Sequence, residues 1–202
     1  MRIYITIISI LLISIIGCHK DELLVNPQND INGIIPLAKG NKWSFSYFEY
    51  DSLGSITRAF PNLLKFTVIG DTIINGYRWY KFSNNFWSAN TKIGFTSDGY
   101  DGRLLIFKYP DLPQDSFYVN SAVNYVHILS IDTLITTSLG TFHCYAYDSH
   151  QLVNNNVLGG SYEVMFVSPQ IGIVKFEIYA SFRIGQKQYL CEQYELSSVT
   201  LN

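Results

Sequence analysis

The chain has 202 residues, of which 48% are hydrophobic and 15% are charged. This composition excludes a disordered chain, and the length suits one domain with a buried core. The formal net charge is −2, so the chain lacks the basic excess that a nucleic-acid surface requires. Its 15 Tyr, 13 Phe and 3 Trp favour β-strands and predict a mainly β fold.

Residues 1–17 have the pattern of a secretory signal peptide. Arg2 precedes an uncharged, Ile-rich run that ends at Gly17. The run is short for a membrane-spanning helix, which takes about 20 apolar residues. It closes on Ile15-Ile16-Gly17-Cys18, which is similar to the lipobox of bacterial lipoproteins. That resemblance implies cleavage before Cys18 and diacylation of Cys18, so we expect a lipid anchor to hold the mature protein on a membrane.

We predict that residues 18–33 form a tether and that residues 34–202 form one antiparallel β domain. Short β-type segments alternate there with turn signals, and no amphipathic helix pattern of ten residues occurs. Ten strands are predicted, at residues 43–50, 64–74, 77–82, 91–96, 103–109, 123–136, 141–147, 162–167, 173–182 and 188–199. So many strands cannot remain flat, and we expect a single strongly curved sheet, either a half-barrel or a barrel-like meander.

Aromatic side chains mark two surfaces. Trp43, Phe45 and Tyr47 share one face of the first strand, and we predict that they lie in the hydrophobic core. Phe86 and Trp87 instead follow polar residues in a predicted loop, where two rings are hard to bury, so they are a candidate contact surface.

The predicted strand at 173–182 alternates apolar and polar residues. This alternation places one face in the core and leaves Lys175 and Glu177 on the opposite face, in water.

The cysteines fit an exported protein. With Cys18 acylated, Cys144 and Cys191 remain, and they either form one disulfide or act as two small buried side chains.

The sequence carries no recognisable catalytic pattern. It has no Gly-x-Ser-x-Gly nucleophile elbow, no His-Glu-x-x-His and no Cys-x-x-Cys. Its glutamates show no pattern that would place two carboxylates across a cleft, as a glycosidase requires. We therefore predict no catalytic residue, no metal site and no cofactor, and a hydrolase is the least favoured class.

Several short motifs resemble those of small surface lipoproteins from Bacteroidota-type bacteria. Lys20-Asp21-Glu22, just after Cys18, is similar to the acidic export signal of that group. The segments 36–43, 139–144 and 171–175 resemble its strand motifs, although Ser138-Leu139 stands where Pro-Ala is more usual. The resemblance implies a curved-sheet domain similar to the half-barrels of lipoprotein carriers, and an outer-membrane location. The domain would be exposed at the cell surface or, alternatively, face the periplasm.

The same resemblance implies O-glycosylation at Asp-Ser or Asp-Thr followed by an apolar residue. Ser52, Thr72 and Thr133 match that pattern, although Asp-Ser and Asp-Thr pairs also close turns through side-chain hydrogen bonds.

Two functional hypotheses follow. The first is a non-enzymatic module that binds an apolar or glycan ligand on a concave aromatic face. The second is an accessory subunit of an envelope protein assembly, with its core filled and the Phe86-Trp87 edge as the contact. An open concave face would favour the first hypothesis and a filled one the second.

Overall fold

The computed structural model describes residues 33–99, 102–109, 115–119, 124–153, 156–169, 171–180 and 187–202. The predicted signal peptide, Cys18 and the Lys20-Asp21-Glu22 signal lie outside the described residues. Within the described ranges, we find no helix that could cross a membrane.

The described chain is built from twelve β-strands. They are β1 (Lys42–Tyr50), β2 (Ile56–Ile74), β3 (Tyr77–Phe82), β4 (Trp87–Thr91), β5 (Gly94–Gly99), β6 (Gly102–Lys108), β7 (Ser116–Val119), β8 (Asn124–Thr137), β9 (Gly140–Val153), β10 (Asn156–Ser168), β11 (Gly172–Ala180) and β12 (Tyr189–Thr200).

All twelve strands belong to one antiparallel sheet, in the order β6-β5-β4-β3-β2-β1-β12-β11-β10-β9-β8-β7. Strands that are neighbours in sequence pair with each other, except β6 and β7, and β1 also pairs with β12, which joins the two halves. The strands β6 and β7 are therefore the two edges of the sheet, although they follow one another in the chain.

The two edges come together, so the sheet is a nearly closed barrel. Lys108 Nζ, at the end of β6, lies 3.5 Å from Asp115 Oδ2, which immediately precedes β7. On the inside, the Tyr147 hydroxyl of β9 donates to the carbonyl oxygen of Lys108 at 2.8 Å. The Phe107 and Tyr147 rings pack with their centroids 5.0 Å apart. The predicted single curved sheet is confirmed in its coarse form, since such a sheet buries one face by curling on itself.

Two details of the strand prediction are wrong. The predicted strand at 91–96 contains a turn at Lys92 and Ile93, which separates β4 from β5. The strands β4 and β7 are short and were not predicted. Five or four residues give too little alternation to stand out from their flanking turns.

The strand β2 is longer than predicted because it changes partners. Its residues up to Thr67 pair with β1, and residues from Val68 onward pair with β3. Pro61 is accommodated in the first part, where β3 does not pair with β2, because a proline without an N–H is tolerated on an unpaired edge.

The core lies on the concave face. Trp43 and Phe45 are buried there, as predicted, whereas Tyr47 is half-buried. The buried segment 34–37 packs beneath the strands and is held by side-chain amides. Asn90 Nδ2 donates to the Ile35 carbonyl at 2.8 Å, and Asn41 Nδ2 donates to the Pro36 carbonyl at 2.9 Å.

The predicted water-facing side of β11 is covered instead. Glu177 is only 7% exposed, pairs with Lys175 Nζ at 2.5 Å and accepts a hydrogen bond from the Tyr179 hydroxyl at 2.8 Å. The tip of the β8–β9 hairpin reaches this face, where Ser138 N donates to Glu195 Oε1 at 3.2 Å. Strand alternation alone cannot reveal such a covering hairpin.

Candidate functional site

A cavity of about 370 Å³ opens on the concave face of the sheet. Its lining is aromatic and aliphatic apart from one amide and two hydroxyl side chains. The lining residues are Ile35, Trp43, Phe45, Phe66, Phe82, Asn84, Phe86, Ser88, Phe95, Ser97, Ile106 and Ile173. No charged side chain is among them.

The lining comes from distant parts of the chain. One wall is formed by β1, β2 and β11, and the facing wall by β4, β5 and β6. Trp43 stabilises the first wall, because its Nε1 donates to the Ile171 carbonyl at 2.7 Å. The buried Ile35 lines the end of the cavity next to segment 34–37.

The polar lining residues lie toward the other end, near the β3–β4 turn. Ser88 on β4 pairs with Ser97 on β5, and the Ser88 hydroxyl donates to Ser97 Oγ at 3.4 Å. The Ser97 hydroxyl in turn donates to the Trp87 carbonyl at 3.3 Å. Both hydroxyl oxygens keep acceptor capacity, which a ligand hydroxyl could use.

The structure places Phe86 and Trp87, the predicted contact pair, in different surroundings. Phe86 lies in the β3–β4 turn, is 52% exposed and lines the cavity, so it stands at the mouth. Trp87 begins β4 and is half-buried, with Lys81 Nζ 5.9 Å from its ring centroid. Phe86 is thus an exposed aromatic side chain at the cavity, and Trp87 is not part of its lining.

A row of four aromatic side chains continues the concave face beyond the cavity. Tyr47 on β1 lies in the centre, with its ring centroid 6.1 Å from Phe60 and 5.1 Å from Tyr194. The Phe176 ring on β11 follows at 5.6 Å from Tyr194. Tyr47 is two residues after Phe45 on the same strand face, so the row borders the cavity.

Carboxylates occupy the next row on the same face. Glu49 pairs across the strands with Arg58 and with Glu192, and Glu163 lies opposite Ile178. Arg58 Nη1 is 3.3 Å from Glu49 Oε2.

The environment shifts the pKa values of neighbouring groups in both rows. Burial raises the pKa of Glu163 above its usual range. Burial, followed by the charges of Glu192 and Glu49, also raises the pKa of Tyr47.

The two remaining cysteines are free thiols in the structure. Cys144 lies on β9 and Cys191 on β12, with β10 and β11 between them in the sheet. Two intervening strands separate them far beyond disulfide reach, so the disulfide alternative is corrected here. Burial raises the pKa of Cys144 to about 12, so its thiol is protonated at neutral pH.

The candidate glycosylation residues have different surroundings. Ser52 and Thr72 are exposed, whereas Thr133 is half-buried on β8. Beside Ser52, Asp51 Oδ1 accepts hydrogen bonds from the amides of Leu53 and Ser55, both at 2.9 Å. The presence of Asp51 before Ser52 is therefore explained by its hydrogen bonds, which close this turn.

Two of the described histidines each pair with an aspartate. His143 Nδ1 pairs with Asp132 Oδ1 at 2.5 Å, and His150 Nε2 pairs with Asp148 Oδ1 at 2.7 Å. In the part of the chain that the structure describes, no group of three or more His, Cys, Asp or Glu side chains could hold a metal ion.

Comparison with known proteins identifies the fold. No protein-family model and no curated protein matches the sequence. The structure is similar to a protein from Bacteroides fragilis NCTC 9343 described as exported and as having a YmcC-like fold. The TM-score is 0.50, with 14% identity over 84% of this chain and 99% of that one. A protein from Parabacteroides distasonis ATCC 8503 described as a lipoprotein matches with a TM-score of 0.48 and 13% identity, over the same shares of the two chains. The chain thus has a YmcC-like fold.

Sequence reasoning missed most of this site. Ser88, Ser97 and Ile35 were not singled out, since neither their types nor their spacing indicates a cavity. The alternation of Trp43, Phe45 and Tyr47 indicated one shared face, but the sequence did not show that the face borders an open space.

Proposed function

We propose that the protein is an exported lipoprotein, anchored through Cys18, whose β domain binds an apolar ligand without catalysing a reaction. The cavity carries this proposal. Its volume of about 370 Å³ falls within the range of about 300–1,000 Å³ that is usual for small-molecule sites. An apolar ligand there would remove aromatic surface from water, at about 25 cal/mol for each Å² buried.

The cell envelope is the proposed location. The sequence before Cys18 supports export, and the fold resembles that of a protein described as exported. Within the envelope we favour the outer membrane and exposure at the cell surface, from the resemblance of Lys20-Asp21-Glu22 to an export signal.

An accessory role in an envelope assembly is the second candidate. One observation favours it: several large apolar side chains are exposed along the first part of β2, which β3 does not cover. These are Ile56, Phe60 and Leu63. An exposed apolar edge of this kind is typical of a protein contact.

The test is native mass spectrometry of residues 18–202 carrying Cys18→Ala, after exposure to envelope lipid extract. We expect an adduct of defined mass on the folded protein. Ile106→Trp, which adds volume to a lining residue, should abolish the adduct. The matched control is Ile93→Trp in the exposed β4–β5 turn, which should retain it.

A clean mass without adduct, on a protein that melts cooperatively, would contradict ligand binding. Cross-linking at the β2 edge in intact envelopes would then test the accessory role.

A further inference from the structure

We propose that the ligand is a single-chain amphiphile with a neutral, hydroxyl-bearing head, bound with its tail in the cavity and its head against the aromatic row. This inference rests on the proposed function and names the class of ligand. It follows from how polarity changes along the concave face.

The cavity suits one hydrocarbon chain. Its volume lies near the lower end of the range for ligand sites, so it has little room for two chains. The aliphatic Ile35 lines its end next to segment 34–37, and Ile106 and Ile173 also line it. A tail that enters past Phe86 would meet apolar surface as far as Ile35.

The head would lie where the lining becomes polar. On one wall, Ser88 and Ser97 present hydroxyl oxygens that can accept hydrogen bonds. On the other wall, Tyr47 and Tyr194 present half-buried rings immediately beyond Phe45. A sugar or polyol head offers hydroxyl groups that can donate hydrogen bonds to the serines. It also offers C–H surface that can pack on the rings.

The charges around this region disfavour a charged head. An anionic head would approach Glu49, Glu192 and Glu163 with only Arg58 as a nearby cation in their cross-strand rows, which is repulsive at short range. Two of these carboxylates already have partners, which lessens their attraction for a cationic head. Arg58 pairs with Glu49, and the Tyr194 hydroxyl donates to Glu192 Oε2 at 3.5 Å. Partnered carboxylates still accept hydrogen bonds from hydroxyl groups.

Four probes, each built on a twelve-carbon chain, test the head. Dodecyl maltoside, dodecanoate, dodecyltrimethylammonium and dodecanol are titrated, below their aggregation concentrations, into residues 18–202 carrying Cys18→Ala. Calorimetry gives the Kd of each. We expect dodecyl maltoside to bind at least tenfold more tightly than the two charged probes, and more tightly than dodecanol.

Tyr47→Leu locates the head. Removing one stacking ring should weaken dodecyl maltoside binding about threefold to tenfold and leave dodecanol binding unchanged. The matched control is Phe48→Leu, the next residue on β1, which pairs with Gln193 and faces the opposite side of the sheet. Cooperative melting of each variant shows that it is folded.

The outcomes separate the two proposals. A charged probe that binds best, or maltoside and dodecanol that bind equally, would overturn the neutral-head inference while leaving apolar binding intact. Equal losses from Tyr47→Leu and Phe48→Leu would also overturn it. If dodecanol and the other three probes all fail to bind, the proposed function itself fails.

Discussion

Single side chains set the local stability of the cavity walls. Trp43 is 4% exposed and combines a buried ring with one long-range hydrogen bond to Ile171. Such a residue joins β1 to the turn that precedes β11, which is distant in sequence. Its loss therefore affects the sheet through packing and through an unpaired carbonyl group.

Trp43→Phe should lower the free energy of unfolding by about 2 kcal/mol, since the Ile171 carbonyl loses its partner and the smaller ring leaves a void. Urea denaturation measures this change. Trp87→Phe is the matched control, because that half-buried ring is outside the cavity lining, and it should cost less than about 1 kcal/mol. Equal losses would show that the hydrogen bond contributes nothing.

Glu163 should make stability depend on pH. Its pKa is raised in the folded state by burial, so the folded protein holds the proton more tightly than the unfolded chain. Its favourable contribution is therefore complete below the unfolded pKa and is lost as pH rises through the folded pKa. Glu163→Gln should raise the melting temperature near pH 7 and leave it nearly unchanged near pH 4.

A melting-temperature series from pH 4 to 8 checks this expectation. Glu49→Gln is the control, since it removes a carboxylate on the same face whose ion pair with the exposed Arg58 is worth little. A gain for Glu163→Gln that is the same at every pH would rule out titration of this carboxyl as the cause.

Turns between strands decide where each element begins and ends. The predicted strands 64–74 and 77–82 leave Asn75 and Gly76 as the turn between them, and this turn is confirmed: both residues have positive φ, 52° and 77°, and join β2 to β3. The turn between β4 and β5 was not predicted, because Lys92 and Ile93 are not residues that favour turns. Gly94 after that turn supplies the needed backbone freedom.

Two glycines with similar φ angles allow the effect of backbone strain to be distinguished from the effect of a steric clash. Gly94 has φ 137° and Gly140 has φ 135°. A Cβ on Gly94 would lie 1.9 Å from the Phe107 carbonyl oxygen, whereas a Cβ on Gly140 would meet nothing within 4 Å.

Gly94→Ala should therefore destabilise the protein more than Gly140→Ala, because it must also separate β5 from β6. We expect a difference of at least about 2 kcal/mol in the free energy of unfolding, measured with urea. Similar losses for both variants would mean that backbone strain alone dominates.

Strand length limited what could be predicted at this scale. The long, alternating strand around Trp43 and the hairpins with glycine turns were recognisable from the sequence. The four-residue β7 was not recognisable. The change of partner within β2 depends on tertiary pairing, in which Thr67 pairs with β1 and Val68 pairs with β3.

At the scale of the whole molecule, the chain combines a predicted anchor with a domain that encloses a cavity. The predicted anchor would depend on covalent lipid at Cys18, whereas the cavity depends on the curvature of the sheet. These two parts can be tested independently, because Cys18 lies before the first strand.

Cys18→Ala should release the protein from the membrane. A single alanine removes the thiol that the lipid requires and leaves the β domain unchanged. After fractionation in high salt, the variant should be in the soluble fraction and the unmodified sequence in the membrane pellet. Cys191→Ala is the control and should stay in the pellet. A variant that still sediments would contradict lipid anchoring at Cys18.

The sequence by itself determined the class of fold, the β2–β3 turn and the face shared by Trp43 and Phe45. These are local properties, since alternation and turn chemistry depend on neighbouring residues. Only the tertiary structure decided that this face surrounds an open cavity, that Phe86 stands at its mouth and that Glu177 is covered. Each of these depends on which distant strands come into contact when the sheet curls. The alternation of residues along a strand carries no information about those contacts.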